Sequence, residues 1–279
     1  RFSQPGDTVL VEDPTYFIAR KQLADHGLTA VAVPMDEHGI DILELAALIE
    51  QHKPAFFYTI PTFHNPTGIT QSAERRAQLV SLARDTGCPV VADEVYQYLH
   101  YAEPPPDPLA SLDDRAPVLS IGSFAKLLAP GLRLGWIQGT PEMLAPLIGS
   151  ALLASGGGLA PVTSNLVRPL LEDGRFDQHL VRLAEVYRRR LATLVAGLTD
   201  HLGDRIGFSA PTGGYFIWAN WLNGADTEAM LPQAHQLGIG YQPGRKFSAS
   251  PDQASAMRLC FAFYNEAKLA EACVRLSKL

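Results

Sequence analysis

The chain has 279 residues, of which 47% are apolar and 19% charged, and its formal net charge is −6 at neutral pH. That balance excludes a disordered segment and supports a sizeable core, as a soft prior divided between about two domains. It also excludes a basic nucleic-acid footprint in this region, and no apolar run approaches the length of a membrane span.

The three cysteines, Cys88, Cys260 and Cys273, form no CxxC pair, so no disulfide framework is expected and a reducing cytoplasm is the expected location. Cys260 has apolar neighbours and is expected in the core. The histidines show no HExxH-type spacing, so no metal centre is expected. The chain opens on Arg1, and Gln4-Pro5-Gly6-Asp7 already reads as a turn into a strand. We therefore expect a start inside a domain, with no signal or transit segment.

Val9-Leu10-Val11 reads as a strand ended by Asp13-Pro14, and Tyr16 to His26 as a helix closed by Gly27. Thr29 to Pro34 is a second strand. Asp41, with Glu44 three residues on, opens a helix to about His52. Ala55 to Ile60 is a third strand, Glu74 to Thr86 a helix ended by Gly87, and Val90-Val91-Ala92 a fourth strand leading into Asp93. Val118 to Ile121 and Leu134 to Ile137 make two more. Strands alternating with helices predict an α/β fold with a mostly parallel sheet flanked by helices. The strands are short continuous apolar runs, which fits burial on both faces.

From Pro141 the pattern turns helical, with a long helix from about Phe176 to Leu202. The last part reads strand, helix, strand, helix: Gly213 to Trp221, Thr227 to Leu237, Met257 to Phe263 and Glu266 to Leu279. We expect a large domain over 1–180 and a smaller C-terminal α+β domain over 181–279. Gly156-Gly157-Gly158 lacks a following GK[ST] and reads as a connection.

In parallel sheets ligands gather at the carboxyl ends of strands. Tyr16, Asn65, Asp93 and Lys126 each follow a predicted strand. Lys126 stands alone among apolar and small residues, in Ser123-Phe124-Ala125-Lys126. A desolvated lysine loses its proton more readily and attacks carbonyls. Taken singly, each piece has a bland reading: a solvated loop lysine, an Asn-Pro turn, a helix-capping Asp, a core Tyr96, an ion-paired Arg258. His64 is a candidate base that Lys126 makes unnecessary, and Gly213-Gly214 is expected to serve backbone geometry.

Together the ordered pieces Asn65-Pro66-Thr67-Gly68, Asp93-Glu94-Val95-Tyr96, SFAK at 123–126 with PGLRLGW at 130–136, PTGGYFIW at 211–218 and Arg258 are more specific. The chain resembles, over essentially its whole length, the fold-type I, pyridoxal-5'-phosphate-dependent aminotransferases of class I/II. Its wording is similar to the aromatic and 2-aminoadipate branch, and to aminotransferase domains fused to winged-helix regulators. The resemblance implies a Schiff base between Lys126 and the cofactor aldehyde, with the freed amine later carrying a proton. It implies Asp93 at the pyridine nitrogen, Tyr96 and Asn65 donating to the phenolic oxygen, and Tyr16 flat on the ring. Ser123 and Arg133 would hold the phosphate, and Arg258 the substrate carboxylate, with Asn65 a second substrate-binding residue. The implied catalytic residues are Lys126, Asp93 and Tyr96, with no metal.

The implied activity moves an amino group from an α-amino acid to a 2-oxo acid, in a cytoplasmic homodimer with no nucleic acid bound by this region. Two alternatives stay open: another pyridoxal-phosphate reaction, such as a C–S β-lyase or cyclopropane-carboxylate synthase, and the effector-sensing half of a winged-helix regulator. The family's N-terminal segment, with its phosphate-cradling loop, would lie upstream of Arg1. The expected activity therefore belongs to a longer parent protein.

Overall fold

Alternating side chains decide how the first sheet is built. A computed structural model describes residues 1–155 and 159–279 of the chain; the triple glycine at 156–158 lies outside the described residues. Strands β1 (Thr8–Asp13), β2 (Thr29–Asp36), β3 (Gly39–Ile40), β4 (Phe56–Thr59), β5 (Val90–Asp93), β6 (Val118–Ser123) and β7 (Gly135–Gly139) form one seven-stranded sheet in the order β3-β2-β1-β4-β5-β6-β7. β2, β1, β4, β5 and β6 run parallel, and β3 and β7 close the edges antiparallel. The expected mostly parallel sheet is therefore present, as are helices α1 (Phe17–Asp25), α2 (Ile42–His52) and α3 (Ala73–Thr86). Asp41 caps α2 by accepting from the Leu43 and Glu44 amides.

Leu10, Phe57, Val90 and Ala92 pack with Leu45 of α2 and Leu79, Val80 and Ala83 of α3. Their neighbours Val9, Val11, Tyr58 and Val91 face the other way, toward Ala19 and Leu23 of α1. Side chains two apart share a sheet face. Asp93 therefore lies on the α1 side, with Tyr58, and Glu94 on the α2/α3 side. There Glu94 Oε1 accepts from the Leu109 amide at 3.0 Å and lies 3.5 Å from Nη1 of the fully buried Arg76. Strand addition reverses between β1 and β4, which opens a crevice at their carboxyl ends.

The β6–β7 hairpin holds the one-turn helix α4 (Phe124–Leu127) in its loop. Gly122 pairs with Trp136 and Ser123 with Gly135. A Cβ on Gly122 would stand 2.0 Å from Trp136 Cε2, so only glycine lets the indole cross the strand there.

Helices α5 (Pro141–Ile148), α6 (Ala151–Ala154), α7 (Pro161–Glu172) and α8 (Arg175–Leu202) follow. Residue 180, the expected domain boundary, falls within α8. Beyond it, β8 (Ile206–Phe208), β9 (Phe216–Trp221), helix α9 (Leu231–Gln236), β10 (Gln242–Pro243), β11 (Ala256–Cys260) and helix α10 (Glu266–Leu276) complete the chain. Their strands form an antiparallel sheet in the order β10-β11-β9-β8. Ile217, Ala219, Trp221 and Met257 on one face pack against Leu191, Leu194 and Leu198 of α8 and Leu269 and Cys273 of α10.

Several expectations are corrected here. The strand read from Gly213 starts at Phe216, because Gly214 takes a φ of +72° that extended backbone cannot use. A Cβ on Gly213 would strike Phe63, so this glycine pair serves backbone geometry as expected. The helix read from Thr227 begins only at Leu231. The Thr227 amide is drawn to Ala254 O at 2.9 Å and its hydroxyl to Ala256 O at 2.7 Å, which ties it to the entry of β11. The last strand ends at Cys260, since the Phe261 amide turns to Tyr215 O. Cys260 is exposed, not buried. It shares the face of Arg258, two residues earlier, and points away from the Met257 side that packs on α8 and α10. β8 had no signal of its own in the sequence. No helix among the described residues is long and apolar enough to cross a membrane.

Gly122→Ala is expected to cost about 1–3 kcal/mol through overpacking against Trp136. It should lower the urea midpoint without changing the slope of the unfolding transition. A variant as stable as the wild type would show that the hairpin does not depend on this close approach.

Candidate active site

Asp93 ends β5 at the crevice, with its carboxylate aimed to the α1 side. Oδ2 accepts from the Tyr58 hydroxyl at 2.7 Å. Oδ1 is shut from solvent and has no partner. Burial pushes the Asp93 carboxyl above the usual range, opposed by the Tyr58 hydroxyl, the Val95 amide and the charge of Lys126. Burial likewise pushes Tyr58 well up, with the Asp93 charge adding to it, so its hydroxyl keeps its proton and remains a donor.

Behind this pair lies a buried polar network. Glu12, at the end of β1, accepts from Thr59 Oγ1 at 2.5 Å and the Ile60 amide at 2.8 Å. His64 Nε2 stands 3.1 Å from Glu12 Oε2, both residues being almost fully buried. Nδ1 of the same ring accepts from the Thr67 amide at 3.3 Å and meets Thr67 Oγ1 at 2.8 Å. Nε2 faces the Glu12 carboxylate without a well-aligned hydrogen bond to it. His64 thus pins the turn that presents Asn65.

Lys126 sits half-buried in α4, whose first turn is capped by Ser123 Oγ accepting from the Ala125 amide at 3.1 Å. Its Nζ lies 5.8 Å from the centroid of Tyr215, and its backbone oxygen accepts from the Tyr215 hydroxyl at 2.7 Å. Tyr96, buried one turn past Asp93, packs its ring 5.3 Å from Tyr215. Burial pushes its hydroxyl far up, which keeps it a donor. Arg133 takes a left-handed backbone conformation at φ 49° after the Pro130-Gly131 turn. It is exposed and donates to Pro130 O at 3.3 Å.

Arg258, on the face of β11 opposite Met257, is set among aromatic rings. Its Cζ stands 3.9 Å from the Phe216 centroid, 5.0 Å from Phe247 and 5.9 Å from Phe17. Nη1 donates to Asn65 Oδ1 at 2.7 Å, and Nε is buried with no partner. No carboxylate among the described residues pairs with it, so the structural ion-pair reading is not what this arginine serves. Burial lowers its basicity, opposed by Tyr96, Cys260 and Tyr16. Tyr16, half-buried at the entry to α1, is raised chiefly by burial and feels both Arg258 and Asp93.

Tyr16, Asn65, Asp93, Tyr96, Lys126 and Arg258 are therefore brought to one region, with Ser123 beside Lys126. Arg133 is on the same hairpin but bonds to none of them. A concavity of about 550 Å³ between α1 and residues 245–249 does not hold this cluster; Phe17 lies between the two. Tyr58, Glu12 and Tyr215 escaped the sequence reading. A tyrosine inside an apolar strand and a carboxylate ending one were the only signals. No group of three potential metal ligands occurs among the described residues.

The family described as Aminotransferase class I and II matches residues 1–276. The chain is 34% identical to aromatic-amino-acid aminotransferase 1 of Thermococcus litoralis, over 99% of this chain and 67% of that protein. It is 28% identical to the uncharacterized HTH-type transcriptional regulator YdfD of Bacillus subtilis, over 93% of this chain and 53% of that one. The chain thus spans about two thirds of the first relative and about half of the second. Among solved structures it is similar to LysN, the α-aminoadipate aminotransferase of Thermus thermophilus, complexed with N-(5'-phosphopyridoxyl)-L-leucine. The TM-score is 0.90 at 29% identity, over 99% of this chain and 72% of that one.

The raised Asp93 carboxyl fixes a pH signature. Unfolded, it titrates near pH ~3.9, so the fold favours its neutral form. Its contribution to stability is complete below that pH and is lost as pH rises through the raised folded value. Asp93→Asn, which cannot ionise, is expected to gain stability relative to the wild type across that window. Urea unfolding of cofactor-free protein at stepped pH would show this; a pH-independent difference rejects the buried-carboxyl assignment.

Proposed function

The chain belongs to the class I and II aminotransferase family, and we propose that it carries the lysine, ring-binding and carboxylate-binding groups of a pyridoxal-5'-phosphate-dependent transaminase. The observation that carries this reading is a pair of buried atoms with no partner, Asp93 Oδ1, which feels the charge of Lys126, and Nε of Arg258, whose guanidinium is otherwise bonded only to Asn65. Each is costly to bury alone. A protonated pyridine nitrogen answers the first and an amino-acid carboxylate the second.

When bound, pyridoxal 5'-phosphate supplies an aldehyde that joins an amine and a ring that draws electrons from the Cα–H bond. Asp93, its Oδ2 oriented by Tyr58, would hold the ring nitrogen at Oδ1 and favour its charged form. Asn65 has turned its Oδ1 to Arg258, which leaves its Nδ2 free to donate; with Tyr96 it would hold the ring's phenolic oxygen. Tyr16 would pack against the ring. Ser123 and Arg133 would hold the phosphate, Arg133 by leaving its bond to Pro130 O. Lys126 Nζ would hold the cofactor through its aldehyde, and the same amine would carry the proton at the substrate Cα. Arg258 grips the substrate carboxylate bidentately while its aromatic walls exclude water, which fixes the Cα–H bond relative to Lys126.

The substrates are an α-amino acid and a 2-oxo acid. The relatives' names set aromatic amino acids and 2-aminoadipate as the first to test. We place the reaction in the cytoplasm and in a homodimer. The exposed apolar side chains Ile148, Leu152, Val162 and Leu166 along α5 to α7 support the second point. We divide the chain into a large domain over 1–180 and a small one over 181–279, each with its own sheet.

The protein with added cofactor is expected to absorb in the near-ultraviolet to blue. Borohydride reduction should fix the cofactor mass on the peptide containing Lys126, and Lys126→Ala should abolish both signals. With an amino donor, 2-oxoglutarate should become glutamate, and Arg258→Ala should mainly raise the KM of the donor, by roughly 10²-fold. Absence of the absorbance and of the modified peptide overturns the cofactor assignment. Their presence without glutamate formation moves the protein to another pyridoxal-phosphate reaction or to a sensing role.

A further inference from the structure

The helix that carries Lys126 is too short to satisfy itself. The last carbonyls of any helix lack partners within it, and α4 is a single turn. Phe124 O accepts from the Leu128 and Ala129 amides at 2.8 and 3.1 Å. The Lys126 and Leu127 carbonyls are answered by side chains from far along the chain: the Tyr215 hydroxyl at 2.7 Å and His179 Nε2 at 3.0 Å.

A carbonyl only accepts, so the donors are settled. The ring proton of His179 is on Nε2, and the one hydroxyl proton of Tyr215 points at Lys126 O. The Tyr187 hydroxyl, 3.3 Å from that of Tyr215, must then donate into the Tyr215 oxygen. Burial pushes the Tyr215 hydroxyl far up, so it donates at any working pH. His179 and Tyr187 both stand on α8. Tyr215 enters β9, and its own carbonyl accepts from Phe261 at 3.1 Å, just past the strand that carries Arg258. Its ring also lies beneath Lys126 Nζ.

We infer that Tyr215 and His179 are positioning residues that clamp the turn carrying Lys126, and that Tyr215 ties the place of the amine to the sheet carrying Arg258. The functional half of this inference rests on the transaminase reading above; the clamp rests on the hydrogen bonds alone. An amine that moves a proton at Cα must be placed closely, since a displacement of about 1 Å can cost ~10²-fold in rate. Arg258 fixes the substrate on one sheet and Lys126 hangs from the other. The Tyr215 hydroxyl is a direct bond between them.

Tyr215→Phe removes that bond and keeps the ring and its packing. In full-length protein the Leu128 and Ala129 amides are expected to exchange faster with deuterium in Tyr215→Phe and in His179→Ala, with or without cofactor. Loaded Tyr215→Phe should keep the Lys126-dependent absorbance, change its visible circular dichroism, and lose kcat by about tenfold with the donor KM little changed. Tyr187→Phe, which leaves Lys126 O bonded, should show the same changes in smaller degree and serves if Tyr215→Phe does not fold. Unchanged exchange at these amides overturns the clamp. Faster exchange with unchanged dichroism and kcat, or a change confined to KM, overturns the tie to Arg258. A wild type that takes up no cofactor overturns the transaminase reading, while the exchange data still decide the clamp.

Discussion

A guanidinium inside a cage of aromatic rings is an unusual thing for a protein to maintain. Among the described residues, Arg258 is set among Phe216, Phe247 and Phe17 with one hydrogen bond, to Asn65, and no carboxylate partner. Desolvation works against it, and cation–π attraction offsets only part of that cost. Much of the surrounding architecture reads as what holds this cation in place. β11 is bracketed by β9 and β10, Thr227 fastens the entry to that strand, and Ser248 reaches across to Asp13 at 2.9 Å. The loop that offers Asn65 is stiffened from behind by His64 and Glu12. Sites that must receive an anion in low dielectric are built in this way, with the positive charge placed before the ligand arrives.

The parallel sheet was legible because its strands are apolar on both faces, and such runs between capped helices leave few other architectures. Asp93, Asn65 and Lys126 were legible because strand ends in such a sheet converge at one edge. Tyr58 was not, because in sequence a tyrosine within Phe56–Thr59 looks like any half-buried strand residue; only its hydroxyl, 2.7 Å from Asp93, sets it apart. Glu12 was hidden for a similar reason, since its partners Thr59 and His64 come from more than forty residues away. The misreadings were of another kind. Thr227 has ordinary helix surroundings in sequence, and the strand it bonds to overrides them. Cys260 has apolar neighbours, but the two-residue period puts it on the side of Arg258.

Two sheets of different character meet at this site. The parallel one supplies groups from strand ends, where backbone and packing hold each side chain to a small range of positions. The antiparallel one supplies Arg258 from mid-strand and Tyr215 from a strand entry, and reaches the first through side chains: Arg258 to Asn65, Tyr215 to Lys126, Ser248 to Asp13. Polar contacts of this type are directional, so the relative setting of the sheets is defined by a few hydrogen bonds as well as by apolar burial.

Asp93 and Glu94 are neighbours in the chain and opposites in the fold. Asp93 faces the α1 side with an oxygen left open, while Glu94 faces α2 and α3 and is tied to Arg76 and the Leu109 amide. Variation at these adjacent codons should therefore sort by phenotype: well-expressed but inert protein from the first, and scarce, proteolysed protein from the second.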